Sequence, residues 1–376
     1  METLDQAQLD LLRRSRARVE NRAEELNERF YEALFAHAPG LRTLFPLDPY
    51  GRRAPLADTL IWLVQRLDQR RELTRRLADL GRDHRKHGVT ATHYEAGAQA
   101  LLAALAHIHG PVWTPSLADA WAGAYTAATH EMLTAAAADR GPALWLGRVV
   151  EHHRLAADLA GIVVQTLEPL PHHPGQYISV EIPQRPGLWR CLSPIEPARP
   201  DGVLRFHVRA LPGGVVSPAL VARTRPGDTW RIGPPLGRLP DALTTTRDLL
   251  LLGRGTGLGP LNALIAALDT REDPPRTHIY AAARSKNELH ALLTSGPRPR
   301  HRPWLTVTPV VASTGTHRPS SPVGAALRAR TWQQHDIVVC GPPRMQATAL
   351  DQLHTAGIPA EQLHSDPLPT SLAIRR

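Results

Sequence analysis

Cysteine is almost missing: the 376-residue chain has two, Cys191 and Cys340. Two thiols cannot staple a domain or build a cysteine-ligated zinc or iron–sulfur site, so a reduced, cytoplasmic setting is expected. Lysine is just as scarce, since of 44 basic residues only Lys86 and Lys286 are lysine, against 35 acidic residues and a net charge of +9. The arginines are scattered and never interleaved with aromatics as a block. No nucleic-acid partner is therefore expected, and the excess charge reads as a solvated surface that would attract anions such as dinucleotides. No apolar run reaches 18 residues, and the opening METLDQAQLDLLRRSR lacks a signal-peptide core. Both absences argue against a membrane span and classical secretion. Apolar residues are not short: at 42% they suffice for a folded core, and the length suits two or three domains.

The texture changes twice along the chain. Residues 1–140 carry apolar stripes at helical spacing: Val19, Ala23, Leu26, Phe30, Leu34; Leu56, Leu60, Leu63, Leu67, opened by Pro55; Leu73, Leu77, Leu80, His84, ended by Gly88; and further sets through Tyr94 and Trp121. An all-α domain is expected there. Over 141–244 the runs AGIVVQTL, GQYISVEI, GVLRFHVRA and GDTWRIG are short and punctuated by Pro and Gly, which predicts a small antiparallel β-barrel. Over 245–376 the apolar strands DLLLL, THIYAAAR, WLTVTPVVA and DIVVC alternate with helix-like sequence. That alternation predicts an α/β doubly wound parallel sheet.

Within that last segment Gly253-Arg254-Gly255-Thr256-Gly257-Leu258-Gly259-Pro260 follows a strand and opens a helix. Glycines let a phosphate approach the backbone, and the helix start offers N–H donors. The sixth fingerprint position is Pro260, so this is not the standard dinucleotide signature. Arg284, Ser285 and Lys286 stand at the end of the second strand, where a carboxylate would hold a ribose 2′-hydroxyl, and they lean towards NADPH. Cys340-Gly341-Pro342 ends a later strand, where doubly wound sheets bind ligands. A small thiol before Gly-Pro leaves room for a flat ring, although a lone cysteine is also a common buried hydrophobe. In the helical segment, His84 continues an apolar face and lies ten residues before Tyr94. A buried imidazole facing an apolar pocket needs a partner, and iron is a suitable one. His87 and His93 are its rivals, off the stripe and turned towards water.

Residues 150–365 resemble the ferredoxin-reductase-like flavoenzymes. The likeness rests on Pro174-Gly175-Gln176-Tyr177, Arg190-Cys191-Leu192-Ser193, Gly213-Gly214-Val215-Val216-Ser217, Gly227-Asp228, Gly255-Thr256-Gly257 and Cys340-Gly341-Pro342, in the family's order. It implies that Arg190 meets the FAD pyrophosphate, Ser193 hydrogen-bonds near flavin N5, and Tyr177 is among the cofactor-binding residues. Leu192 stands where the family has a tyrosine, which removes a stacking contact worth roughly 1 kcal/mol. Gly213, Gly214, Val215 and Ser217 resemble the family's second phosphate-facing stretch.

Residues 5–138 are similar to the globin domain of flavohaemoglobins, at Phe30-Tyr31, Leu44-Phe45-Pro46, Leu80 to Val89 and Trp121 to Tyr125. The likeness implies haem b with His84 as its proximal ligand, Tyr31 as distal hydrogen-bond donor to bound O2, Phe45 and Leu56 packing the haem, and Tyr94 on the proximal side. Two positions depart from the pattern. The usual distal glutamine aligns with Arg52, and the proximal glutamate falls near Ala136, with Glu131 more than a turn too early. Losing that acid weakens electron push from the proximal ligand. The combined resemblance implies a monomeric, cytoplasmic enzyme using haem b, FAD and NADPH or NADH, which converts O2 and nitric oxide to nitrate. Two alternatives stand beside it: a flavin oxidoreductase with another electron donor, and a gas-binding sensor globin kept ferrous by its reductase.

Overall fold

The structure, a computed structural model, describes residues 4–45, 56–294, 302–311 and 321–366. It divides into two compact units, one ending at Leu144 and one beginning at Trp145. No helix among the described residues is long and apolar enough to cross a membrane.

The first unit is helical: α1 (Gln6–Asn21), α2 (Ala23–His37), α3 (Leu56–Gln65), α4 (Arg70–His84), α5 (Ala91–His109) and α6 (Pro115–Ala138). Polar caps mark the starts. Asp5 and Gln8 form a reciprocal capping box on α1, and Thr114 Oγ1 accepts from Leu117 N, with Pro115 opening α6. The stripes bury as expected, with Leu12, Leu26, Leu73, Leu101 and Leu105 fully enclosed. One stripe does not belong to one helix. Val19 and Leu26 face a single core, but the backbone breaks between them at Arg22, with φ −123 and ψ 31. The Arg22 side chain holds Glu25 and the Ile108 carbonyl of α5. The apolar period passes through this joint because both helices line the same interior. Helices α4 and α6 meet at Gly81, where a Cβ would stand 2.6 Å from the Met132 carbonyl carbon, so only glycine permits the approach. Arg52 and Pro55 lie outside the described residues.

The second unit holds two sheets. β1 (Trp145–Ala156), β2 (Leu159–Thr166), β3 (Ile178–Glu181), β4 (Trp189–Leu192), β5 (Val203–Arg209) and β6 (Thr229–Ile232) pair antiparallel in the order β4-β3-β6-β1-β2-β5, with a short helix α7 (Val216–Ala222) against them. A bridge between Pro194 and Phe206, with Ile195 N donating to Arg205 O, returns the chain after β4 to β5 and closes the sheet on itself. The interior is filled by Val149, Ile162, Ile178, Val180, Phe206 and Trp230. The other sheet is parallel: β7 (Asp248–Arg254), β8 (Thr277–Ala283), β9 (Leu305–Val311), β10 (His335–Cys340) and β11 (Leu363–His364), ordered β11-β10-β7-β8-β9. Helices α8 (Leu258–Leu268) and α9 (Lys286–Thr294) cover one face, and α10 (Pro322–Ala329) and α11 (Pro343–Thr355) cover the other. Strand order reverses at β7, so the crevice past the ends of β7 and β10 is where this architecture takes a ligand.

Candidate functional site

His84 is the last residue of α4. A 3-10 turn, Arg85–His87, and Gly88 at φ +68 then turn the chain away. Its Nδ1 lies 2.8 Å from Tyr94 Oη in the first turn of α5, and the two rings stack with centroids 5.9 Å apart. Tyr125 Oη donates to the Tyr94 carbonyl at 3.0 Å, over Gly97, where a Cβ would stand 2.5 Å from that oxygen. Enclosure by protein pulls the imidazole down to about 4, with Asp83 opposing and Lys86 assisting. The residue as a whole is half-buried. His84 is therefore held neutral, and its Nε2 has no partner among the described residues. Neutral imidazole with a free nitrogen is the form that ligates a metal. Burial likewise keeps the Tyr94 and Tyr125 phenols protonated.

The rival histidines are placed differently. His93 Nδ1 accepts from Thr90 N at 3.1 Å and caps its own helix. His87 and His93 line a cavity of about 380 Å³ with Leu41, Thr43 and Leu44, which opens between the loop ahead of Phe45 and the turn after His84. Tyr31 is buried among rings, with centroids 5.2 Å from Phe30, 5.8 Å from Phe35 and 5.3 Å from Phe45. Leu56 begins α3 and packs on the edge of the same core. Ala136 and Glu131 both lie half-buried on α6, and among the described residues no carboxylate bonds His84. The ion pair Asp83–Lys86, 2.6 Å apart with the lysine side chain fully buried, flanks His84. No sequence signal marked it.

In the second unit Arg190 is the telling residue. It sits on β4 opposite Val180, with burial pulling its pKa down, and it has no hydrogen bond or ion pair among the described residues. A desolvated cation without a counter-charge is costly, and an anionic ligand relieves that cost. Ser193 follows, its hydroxyl also without a protein partner among the described residues, at the segment that packs against the start of α8 through Ile195 and Gly259. Leu192 lies opposite Ile178 and packs into the barrel interior. Tyr177 is buried, pairs its backbone with Leu236, and lies against Gly237, where a Cβ would meet the ring at 3.0 Å. Ser217 Oγ accepts from Leu211 N at 3.1 Å, so it braces the Gly213–Gly214 turn, in which Gly213 has φ +70 and the neighbouring Val215 is buried.

The glycine run forms a 3-10 turn between β7 and α8, with Gly255 at φ +57 and the Thr256 hydroxyl without a partner among the described residues. A Cβ on Gly257 would overlap the Cys340 carbonyl carbon and Gly341 N, each at 2.6 Å, so the turns after β7 and β10 touch through glycine. Cys340 is buried, its thiol pushed up by desolvation and by Asp366. Pro342 caps α11. Asp366 was not singled out in the sequence; its carboxylate accepts from Arg238 N and Leu239 N beside Tyr177 and Gly237. Arg254, before the turn, is partly desolvated and makes no hydrogen bond or ion pair among the described residues, with Glu288 attracting it at longer range. Past β8, the trio Arg284, Ser285 and Lys286 is largely committed. Arg284 pairs with Asp158 and Glu288, and Ser285 Oγ accepts from Glu288 N. The acid at this strand end is not local to it: Asp158 reaches it from the β1–β2 turn.

Two family profiles match the chain: Globin over residues 28–132, and Oxidoreductase FAD-binding domain over residues 147–240. The Flavohemoprotein of Bordetella pertussis is 29% identical over 311 residues, covering 75% of this chain and 77% of that one. The Flavohemoprotein of Bacillus subtilis is 22% identical over 306 residues, covering 77% and 76%. Among solved structures, a flavohemoglobin from Malassezia yamatoensis with bound FAD and heme superposes with a TM-score of 0.74 at 17% identity, covering 96% of this chain and 99% of that one. At that identity the superposition establishes the shared fold.

Proposed function

The chain is a divergent member of the flavohaemoprotein family, a haem-binding globin domain followed by a reductase that binds FAD and NAD(P)H, and from that premise we propose that it is an NAD(P)H-dependent nitric oxide dioxygenase. The overall conversion balances as two nitric oxide, two dioxygen and one NAD(P)H giving two nitrate, NAD(P)+ and a proton. When bound, the flavin divides the hydride pair of NAD(P)H into single electrons, and the haem iron takes them together with a gas.

The chain's own residues bind, orient and shield. His84 would ligate iron through Nε2, which requires the proton on Nδ1; that N–H then donates to Tyr94 Oη. A neutral phenol is a weaker acceptor than the family's carboxylate, so the imidazole keeps less anionic character. Tyr31, buried among the Phe30 and Phe45 rings, would offer its hydroxyl to the bound gas. Arg190 would take the flavin pyrophosphate and Ser193 the region of N5, while Gly255, Thr256, Gly257 and Arg254 would take the dinucleotide phosphates. We assign residues 1–140 to the globin domain, 141–244 to the flavin barrel and 245–376 to the dinucleotide domain, and take the working form to be a cytoplasmic monomer.

The carrying observation is the neutral, Tyr94-held His84 with an open Nε2, in the same chain as a reductase. Anaerobic NADH or NADPH addition under carbon monoxide should raise a ferrous–CO Soret band, and nitric oxide should then be consumed aerobically over many turnovers. No haem reduction would refute the electron path. A single stoichiometric event would favour a sensor globin.

A further inference from the structure

We propose that this chain discriminates against the 2′-phosphorylated dinucleotide, and that Asp158, contributed by the flavin barrel, is the specificity-determining residue; the inference rests on the dinucleotide site assigned above. In a doubly wound sheet the adenosine ribose lies past the second strand, here β8. Arg284, Ser285 and Lys286 follow β8 directly, and by residue type alone they would receive a 2′-phosphate.

Their partners say otherwise. Arg284 Nη1 and Nη2 donate to the two Asp158 oxygens at 2.9 and 2.7 Å, and its Nε donates to Glu288 at 2.8 Å. Arg209, at the end of β5, mirrors it, donating to both Asp158 oxygens at 3.0 and 2.9 Å and pairing with Glu288 at 2.8 Å. Each carboxylate sits between two guanidiniums and each guanidinium between two carboxylates, so the square is neutral. Bidentate carboxylate pairing is the same geometry that a phosphate would need from Arg284. The two arginines hold Asp158 at about 2, ionised at any working pH.

The square is anchored at its inner corners, Arg209 and Glu288, while Arg284 lies half exposed at the outer one. Leu159, beside Asp158, is fully buried and packs into the core of the parallel half with Leu239, Leu249 and Leu258, which fixes the hairpin tip against that half. Glu288 is nearly buried, so a departing Arg284 would leave its charge with one counter-ion fewer. Ser285 is committed to the start of α9, and only Lys286 of the trio remains, exposed and therefore weak as a lone phosphate contact. A 2′-phosphate, near two negative charges, would have to displace Asp158 and then lie beside its carboxylate. Arg254 makes no hydrogen bond or ion pair among the described residues, is attracted by Glu288 only at longer range, and serves the pyrophosphate common to both dinucleotides, so discrimination falls on the ribose alone.

The test uses the full-length, cofactor-loaded protein and calorimetric titration with 5′-AMP and adenosine 2′,5′-bisphosphate. The native protein should bind the bisphosphate no better than AMP. D158N should raise bisphosphate affinity at least tenfold and change AMP affinity by less than threefold, and the NADPH/NADH ratio of kcat/KM in ferricyanide reduction should rise in step. R284A alone should leave the affinity ratio within twofold, whereas adding it to D158N should abolish the gain. Flavin content and Tm show which variants fold. The inference is overturned if the native protein prefers the bisphosphate, if R284A lowers that affinity tenfold, or if D158N leaves the ratio unmoved. Failure of both nucleotides and both dinucleotides to bind would instead overturn the dinucleotide site itself.

Discussion

Replacing Tyr94 by phenylalanine removes one oxygen and little else. The ring stacked on His84 at 5.9 Å remains, and so does the Tyr94 carbonyl that Tyr125 bonds, so the change isolates the 2.8 Å contact to Nδ1. With Nε2 on iron, Nδ1 must carry its proton, and without the phenol that N–H is left unpaired in a desolvated place. The loss of a buried hydrogen bond to a ligand's outer partner is worth about 1–2 kcal/mol, or roughly 5- to 30-fold faster haem release. The assay is haem transfer from the loaded protein to an excess of a haem-free acceptor globin, followed in the Soret band. Tyr125→Phe, one step farther from the metal, should show a smaller effect. Release from Y94F within twofold of the native rate would refute the claim that this phenol holds the proximal ligand.

Two other perturbations follow from burial. Arg190→Met should weaken FAD binding by about 10- to 100-fold, since a charged hydrogen bond is worth roughly 1.5–3 kcal/mol, while the flavin-free protein should melt no lower because a desolvated cation is gone; FAD titration and paired melting curves with equal losses in both would contradict this. His207, on β5, is buried with neither ring nitrogen hydrogen-bonded among the described residues, and desolvation lowers it to about 4 from 6.5. The unfolded chain then binds the extra proton, so up to about 3 kcal/mol of stability is present above pH 6.5 and lost as pH falls towards 4. In urea melts of the second unit's transition, His207→Leu should flatten the slope over that window, and an unaltered slope would show that His207 titrates normally.

How much of this was legible depends on the range of the interaction. The α4 stripe led to His84 because one helical face is a local property, and the distance of ten residues to Tyr94 survived as a hydrogen bond because a single tight turn joins α4 to α5. The glycine run was legible for a similar reason: the turn after β7 tolerates no Cβ where it touches Cys340 and Gly341. The break at Arg22 was hidden, since the apolar period of two helices on one core looks like that of one. Arg284 differs in the opposite way: its type suggests a free phosphate ligand, whereas Asp158, remote in sequence, joins the nearby Glu288 in pairing with it.

The order of apolar and glycine residues alone settled the helical first part, the antiparallel second and the parallel third, and it marked the imidazole at 84, because repeat spacing and chain turns depend on near neighbours. Which charges are paired with one another and which are not was settled only in three dimensions. Asp158, Arg209 and the Arg284–Glu288 pair neutralise one another from three separate segments, while Arg190 makes no hydrogen bond or ion pair among the described residues. Electrostatic pairing acts over a few ångströms of space and takes no account of distance along the chain.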